Sequence, residues 1–279
     1  KKDQRWLKAV SLAEEECLKN GITSFQDAGT ALEDILKLKD QADKGELDVR
    51  LWAMIRSSSD YLKDKLDDFP IINAGNHYFT SRGLKVSIDG ALGPFGAWLL
   101  ESYDDKRDFV GQNTTPVPEV EKLAELAMAH DMQFCAHAIG DRANREVLDI
   151  FEKNFAANPD KKDLRWRIEH AQHLHPDDIP RFGEMGVIAS MQGIHCTSDA
   201  PFVEKRLGYD RAKNGAYVWR SLLESGAVVT NGTDAPVEDV NPFESLYATV
   251  TRKRADTGFE FFPEQKLTRE EGIYSYTMA

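Results

Sequence analysis

His137, His170 and Asp234 each stand at the end of an apolar run: FCAHAIGD holds the first, RIEHAQH the second and VVTNGTDAPV the third. An apolar run that delivers one metal-binding side chain and then breaks at Gly, Gln or Pro reads as a strand end facing a site. Three such ends predict one metal centre assembled from separate strands. Neutral imidazole is the commonest metal ligand. A carboxylate beside it can both contact the ion and take a proton from the attacking water, because the ion draws the water's pKa down towards ~7. The chemistry of such a set is hydrolysis. Taken singly, either histidine also reads as a hydrogen-bonded structural residue, and Asp234 as a turn or helix cap.

Other residues extend the set. Lys85 sits in LKVSIDG, and a lysine pointing into a core is costly unless paired. Asp89 or another rim carboxylate is its plain partner. The sharper reading is carboxylation by CO₂, because burial favours the neutral amine that this reaction needs. His195, in MQGIHCTSD, is expected to reach substrate from the rim, and Gln192, Asp141 and Arg142 are expected substrate contacts. Asp141 also reads as the cap of a helix. His173 and His175 fall beyond the strand end and read as loop histidines, while His77 and His130 show no site context. No GxSxG, Walker A or GxGxxG fingerprint occurs, so serine-hydrolase and nucleotide readings lack support.

These residues need elements to position them. The pattern predicts seven strands, at 22–27, 49–55, 83–89, 133–137, 165–170, 187–192 and 228–233, with helices in most of the gaps. ALEDILKLKDQADKG, PEVEKLAELAMAHD, DRANREVLDIFEKNF and NPFESLYATVTRKR read as helices, and Thr268 with Glu271 as a capping box. Strand ends recur at about the ~30-residue interval of a (β/α)₈ barrel unit. A doubly wound sheet would instead gather its ligand groups near one switch point. The expected fold is therefore α/β, a (β/α)₈ TIM-barrel type that is incomplete at seven strands. Residues 1–279 would form one partial barrel domain of a longer protein, since a barrel short of a strand leaves two open edges.

At 279 residues, 41% hydrophobic and 29% charged, the chain has an ordinary globular composition. A net charge of −12 argues against nucleic-acid and anionic-membrane partners. No run approaches the ~18 apolar residues of a membrane span. Cys17, Cys135 and Cys196 are odd in number and far apart. A disulfide framework is therefore not expected, and reduced thiols favour the cytoplasm.

With these motifs the chain resembles the metal-dependent amidohydrolase superfamily, most closely its YtcJ-like, amidohydrolase-3 branch, which includes N-substituted formamide deformylases. The matching segments include GITSFQDAG, LKVSIDGALG, AHAIGDRANREVLD, RIEHAQHLHPDDIPRFGEMGVIASMQ and GTDAPVEDVNPFESLYATVTR. The resemblance implies a distorted barrel with one or two divalent metals, usually zinc. It makes His137 and His170 the ligands of the fifth and sixth strands, and Asp234 the carboxylate and proton shuttle of the eighth. Lys85 becomes the fourth-strand lysine, and His195 a histidine contacting substrate. The implied reaction is hydrolysis of a C–N bond in a small amide or N-acyl substrate, and a homo-oligomer is compatible with it. The chain departs from the pattern in several respects: the first-strand His-x-His pair, the long insertion after that strand and the small β-sandwich are missing, and position 272 is Gly where a helix former is expected. The chain alone is therefore expected to bind metal weakly and to hydrolyse amides only with the upstream segment restored. The rival reading is a non-catalytic barrel that binds without turnover.

Overall fold

The computed structural model describes residues 2–279, which divide into two compact units. The first unit runs through Lys85 and includes Leu126–Gln133; the second holds Val86–Glu125 and Phe134–Ala279. Among the described residues no helix is long and apolar enough to cross a membrane.

In the first unit, strands β1 (Ser24–Thr30) and β2 (Arg50–Ile55) pair in parallel, and β2 pairs in parallel with β4 (Phe79–Ser87), which enters the second unit at Val86. A short strand, β3 (Ile71–Asn73), lies antiparallel to β4. The helix Leu32–Asp43 buries Leu32, Ile35, Leu38 and Ala42. That is the i, i+3, i+4 stripe of an amphipathic helix. The buried Glu14 carboxylate, on the helix Lys2–Lys19, accepts from the backbone N–H groups of Asp48 (2.8 Å) and Val49 (3.2 Å) just before β2.

In the second unit β5 (Gln133–Ala138), β6 (Arg167–His170), β7 (Ile188–Gln192) and β8 (Val229–Gly232) pair in parallel in that order. Phe134 of β5 and Trp166, just before β6, pack against Phe151 and Phe155 of the helix Asp141–Ala157, with ring centroids 5.0–6.0 Å apart. Phe134, Phe151 and Trp166 are fully buried, and each such side chain contributes at least ~1.5–3 kcal/mol of burial. The opposite face carries Cys135 and Arg167, then His137 and Glu169, in register.

Across the two units seven parallel strands alternate with helices in chain order, the α/β pattern of an incomplete (β/α)₈ barrel. The structure moves some expected bounds. β4 begins at Phe79 rather than at residue 83, because Gly83 is not a boundary. It is an interior glycine against which Trp52 packs, and a Cβ there would fall 2.7 Å from the indole. β3 was not expected; at three residues it is too short for periodicity to show. The rim segment after β7, where the residue pattern predicts no element, forms the short helices His195–Ser198, Ala200–Leu207 and Tyr209–Gly215. The expected capping box on the helix Arg269–Thr277 is present in both directions.

Candidate metal centre

Four residues of the second unit converge at the carboxyl ends of its strands. His137 is the penultimate residue of β5, His170 is the last of β6, and His195 opens the helix after β7. Asp234 follows β8 by two residues. The rings of His137 and His170 are 4.5 Å apart, edge to face, and those of His170 and His195 are 5.9 Å apart and stacked. His195 Nε2 is 3.7 Å from Asp234 Oδ2. Donor atoms of His170, His195 and Asp234 all lie within 4.8 Å of one another.

Backbone conformation brings these side chains together. In the β5–β6 register Ala138, not His137, is the partner of His170. A regular pleat would therefore send the His170 ring to the face opposite His137. His170 instead has φ of 75° and Ala171 of 43°, so the strand leaves its pleat at the histidine. Asp234 also has a positive φ, 59°. Such conformations cost on the order of 1–3 kcal/mol each and persist where the surroundings over-determine them, often at functional sites.

Hydrogen bonds fix the rings further. Gln192 Nε2 donates to the Ser190 carbonyl at 3.2 Å, which leaves Oε1 as the acceptor facing His170 Nδ1 at 2.6 Å. His170 Nδ1 therefore carries the proton, and its Nε2 is the nitrogen left to bind an ion. The turn that launches His195 is tied down from two sides. Gly193 N donates to Asn231 Oδ1, and Ile194 N donates to Ser245 Oγ. Gly193 has no room for a side chain, since a Cβ would lie 1.9 Å from Thr249 Oγ1. Burial lowers the His195 pKa to about 4, so near neutral pH its imidazole carries no charge, the form that binds metal. The Nε2 atoms of His137 and His195 are buried without a hydrogen-bond partner. Two imidazoles and a carboxylate can hold a divalent metal ion with a position left open, and the orphaned ring nitrogen of His195 fits such an ion.

The remaining expected site residues are placed as follows. Lys85 is buried on β4 of the first unit, its methylene stem beside Gly29. Gln192 supports His170. Arg142 is exposed, with its guanidinium over the Trp98 ring and its Nε donating to Glu146 at 3.0 Å. Asp141 does not cap its helix by side chain; Gly140 is the N-cap, and Asp141 Oδ1 accepts instead from Leu100 N and Arg142 N. Burial raises the Asp141 pKa, which these backbone bonds oppose. His175 caps the turn at Pro176 through Asp177 N, whereas His173 is buried.

Two roles go beyond what the sequence predicts. His195 joins the donor set rather than only the rim, and it comes from a helix with no strand-end signature. Asp89 receives three backbone hydrogen bonds, from Trp98 N (2.9 Å), Ile139 N (3.0 Å) and Gly140 N (2.8 Å), and its Oδ1 faces His137 Nε2 at 3.5 Å. The signal for it was present: a carboxylate closing the run LKVSI just before Gly90.

Parallel strands carrying histidine and aspartate donors at their carboxyl ends define the architecture of metal-dependent hydrolases built on a barrel. The chain belongs to the amidohydrolase family, whose model matches residues 3–279. It is 32% identical to the protein LONG AFTER FAR-RED 3 of Arabidopsis thaliana over 98% of its own length, and spans 50% of that relative. YtcJ of Bacillus subtilis is 33% identical over 72% of the chain, with 37% of YtcJ covered, which places the chain in the YtcJ-like branch. The N-substituted formamide deformylase of Arthrobacter pascens is 25% identical over 75% of the chain and 38% of the enzyme. A metal-dependent hydrolase from Pyrococcus horikoshii matches with a TM-score of 0.84 and 26% identity, over 98% of this chain and 54% of that one. The chain thus spans about half the length, or less, of the relatives it matches.

Proposed function

We propose that this chain is the barrel portion of a hydrolase that cleaves a C–N bond in a linear amide or N-acyl substrate, with a divalent metal held by His170, His195 and Asp234. The observation that carries this reading is the convergence of these three donors, from the ends of β6 and β8 and the helix after β7, within 4.8 Å. His137, with its ring 4.5 Å from that of His170, extends the donor row. Zinc suits two imidazoles and one carboxylate with an open position. Lys85 enters as a further ligand through the motif resemblance, and the C–N assignment through the family and the deformylase relative.

When bound, the ion would polarise the scissile carbonyl and make water a competent nucleophile near neutral pH. The chain's own residues do the rest. Asp234 is half-buried, so one carboxylate oxygen can face the ion while the other takes the water's proton and passes it to the leaving amine. His195 stays uncharged, and Gln192 holds the His170 ring in one tautomer. Asp141 and Arg142 are kept as proposed substrate contacts from the motif alone.

The test is His170→Ala with zinc added. Metal content should fall to background while the far-UV CD spectrum and urea midpoint change little, because a strand-end imidazole contributes a ligand bond and little packing. Equal metal content in variant and parent would remove His170 as a ligand. Turnover of N-acyl substrates is expected from a protein of the relatives' full length, compared with this chain under the same zinc. Equal turnover in both would show that this chain suffices.

A further inference from the structure

We infer that Asp89 is a positioning residue for His137, holding that imidazole as the Nε2–H tautomer so that Nδ1 is left to bind the ion. This rests on the metal reading above and deepens it.

The Asp89 side chain is fully buried, and both of its oxygens are engaged. Oδ1 accepts from Ile139 N, and Oδ2 accepts from Trp98 N and Gly140 N. Three N–H groups pointing at one carboxyl group use both of its oxygens as acceptors. Two of the three donors directly follow the end of β5. Asp89 therefore fixes the backbone at which His137 stands, and not only the space beside its ring.

The ring itself faces the same carboxylate. His137 Nε2 is buried, has no hydrogen-bond partner and lies 3.5 Å from Asp89 Oδ1. At that distance the contact is longer than a closed hydrogen bond, but the geometry decides its sense, because the Asp89 oxygen that the ring faces is already an acceptor of an N–H group. A carboxylate favours an N–H pointed at it and disfavours a lone pair. The proton belongs on Nε2, and Nδ1 becomes the basic nitrogen.

His170 shows the same device in mirror form. Its Nδ1 donates to Gln192 Oε1, which leaves Nε2 as the basic nitrogen. Two adjacent rings thus present opposite nitrogens, each because an outer residue has claimed the other one. Outer partners of this kind are usual for metal-binding histidines, and losing one typically costs ~10–100-fold in metal affinity.

The experiment has two arms. Long-range ¹H–¹⁵N correlation of the parent's imidazoles at neutral pH should show His137 as the Nε2–H tautomer and His170 as the Nδ1–H tautomer. Finding His137 as Nδ1–H overturns the proposal. In the second arm, Asp89→Asn is titrated with zinc chloride beside the parent. Affinity should fall ~10–100-fold while the His170 tautomer is unchanged, and a folded variant binding within ~3-fold of the parent overturns the proposal. Should the variant fail to fold, the parent's tautomer decides alone. A parent that takes up no zinc would defeat the metal reading, while the His137 tautomer would still report on Asp89.

Discussion

The helix Leu32–Asp43 of the first unit and the strand β6 of the second use charge in opposite ways. On the helix Leu32–Asp43 of the first unit, Lys37 pairs with Asp34 and Lys39 with Asp43, three or four residues apart, and Lys44 just past its end pairs with Asp40; all are exposed. In the second unit the Arg167–Glu169 pair, at 2.5 Å, lies on β6 with both side chains only 7% exposed. Those on the helix are solvated. The pair on β6 sits one strand position from His170, on the face that also carries Cys135 and His137. Exposed pairs contribute little to stability, because water already serves each charge well. A buried pair costs much to desolvate, so it holds only while both partners remain. The comparison teaches that a charge in this molecule matters where removing it strands another charge.

The largest effect should follow from Glu169→Ala. It leaves the Arg167 guanidinium buried without its carboxylate, and breaking a buried pair in this way costs ~3–5 kcal/mol. Urea unfolding should show the loss. The double variant Arg167→Met with Glu169→Leu should recover most of it, because the stranded charge is gone. A single variant as stable as the parent would break the comparison, since the buried pair would then behave like an exposed one.

A buried base without a counter-charge provides the next test. Burial pushes the His173 pKa from 6.5 to about 3. Between those values the unfolded chain binds a proton that the folded chain refuses. The folded pKa is the lower one for this base, so its contribution is complete above pH 6.5 and is lost as the pH falls towards 3. The slope is ~1.4 kcal/mol per pH unit. Asp199 works in the other sense over part of this range: burial raises its pKa to about 6, against the Tyr217 and Gln172 hydrogen bonds that lower it. The parent curve is therefore a difference, and His173→Asn isolates one component. The variant should lose about one proton's worth of slope between pH 3 and 6.5. An unchanged slope would mean that His173 titrates normally.

Most strands were legible because their short apolar runs are bounded by turn residues, as in QFCAH and VIASMQ. His137, His170 and Asp234 were legible for the same reason, each being the polar residue that ends such a run. What stayed hidden depends on contacts distant in sequence. Gly83 looks like a boundary until Trp52 is seen to pack on it. His195 enters the donor set through ties between Asn231, Ser245 and the turn before it. Asp89 closes the run LKVSI visibly enough, but its partners lie in the backbone of residues 98, 139 and 140, which no side-chain pattern announces. The pleat break at His170 is equally silent in sequence, because nothing about Glu-His-Ala requires a positive φ.

The smallest effect should come from the exposed helix, where Lys39→Ala and Lys44→Ala each remove one partner of a pair. The Lys39–Asp43 contact is 2.6 Å, as short as that of the buried pair, so distance alone would predict a comparable loss. Exposure decides otherwise. The side chains of Lys39 and Asp43 are 39% and 45% exposed, so the carboxylate left behind is rehydrated at once. The lysine also regains the rotamer freedom it gave up to hold one geometry. Neither variant should shift the thermal midpoint measurably. Adding salt to ~1 M, which shortens the screening length to ~3 Å, should not separate them from the parent. If instead Lys39→Ala destabilised the protein as strongly as Glu169→Ala, pair geometry and not burial would govern charge in this fold, and the contrast between that helix and β6 would fall.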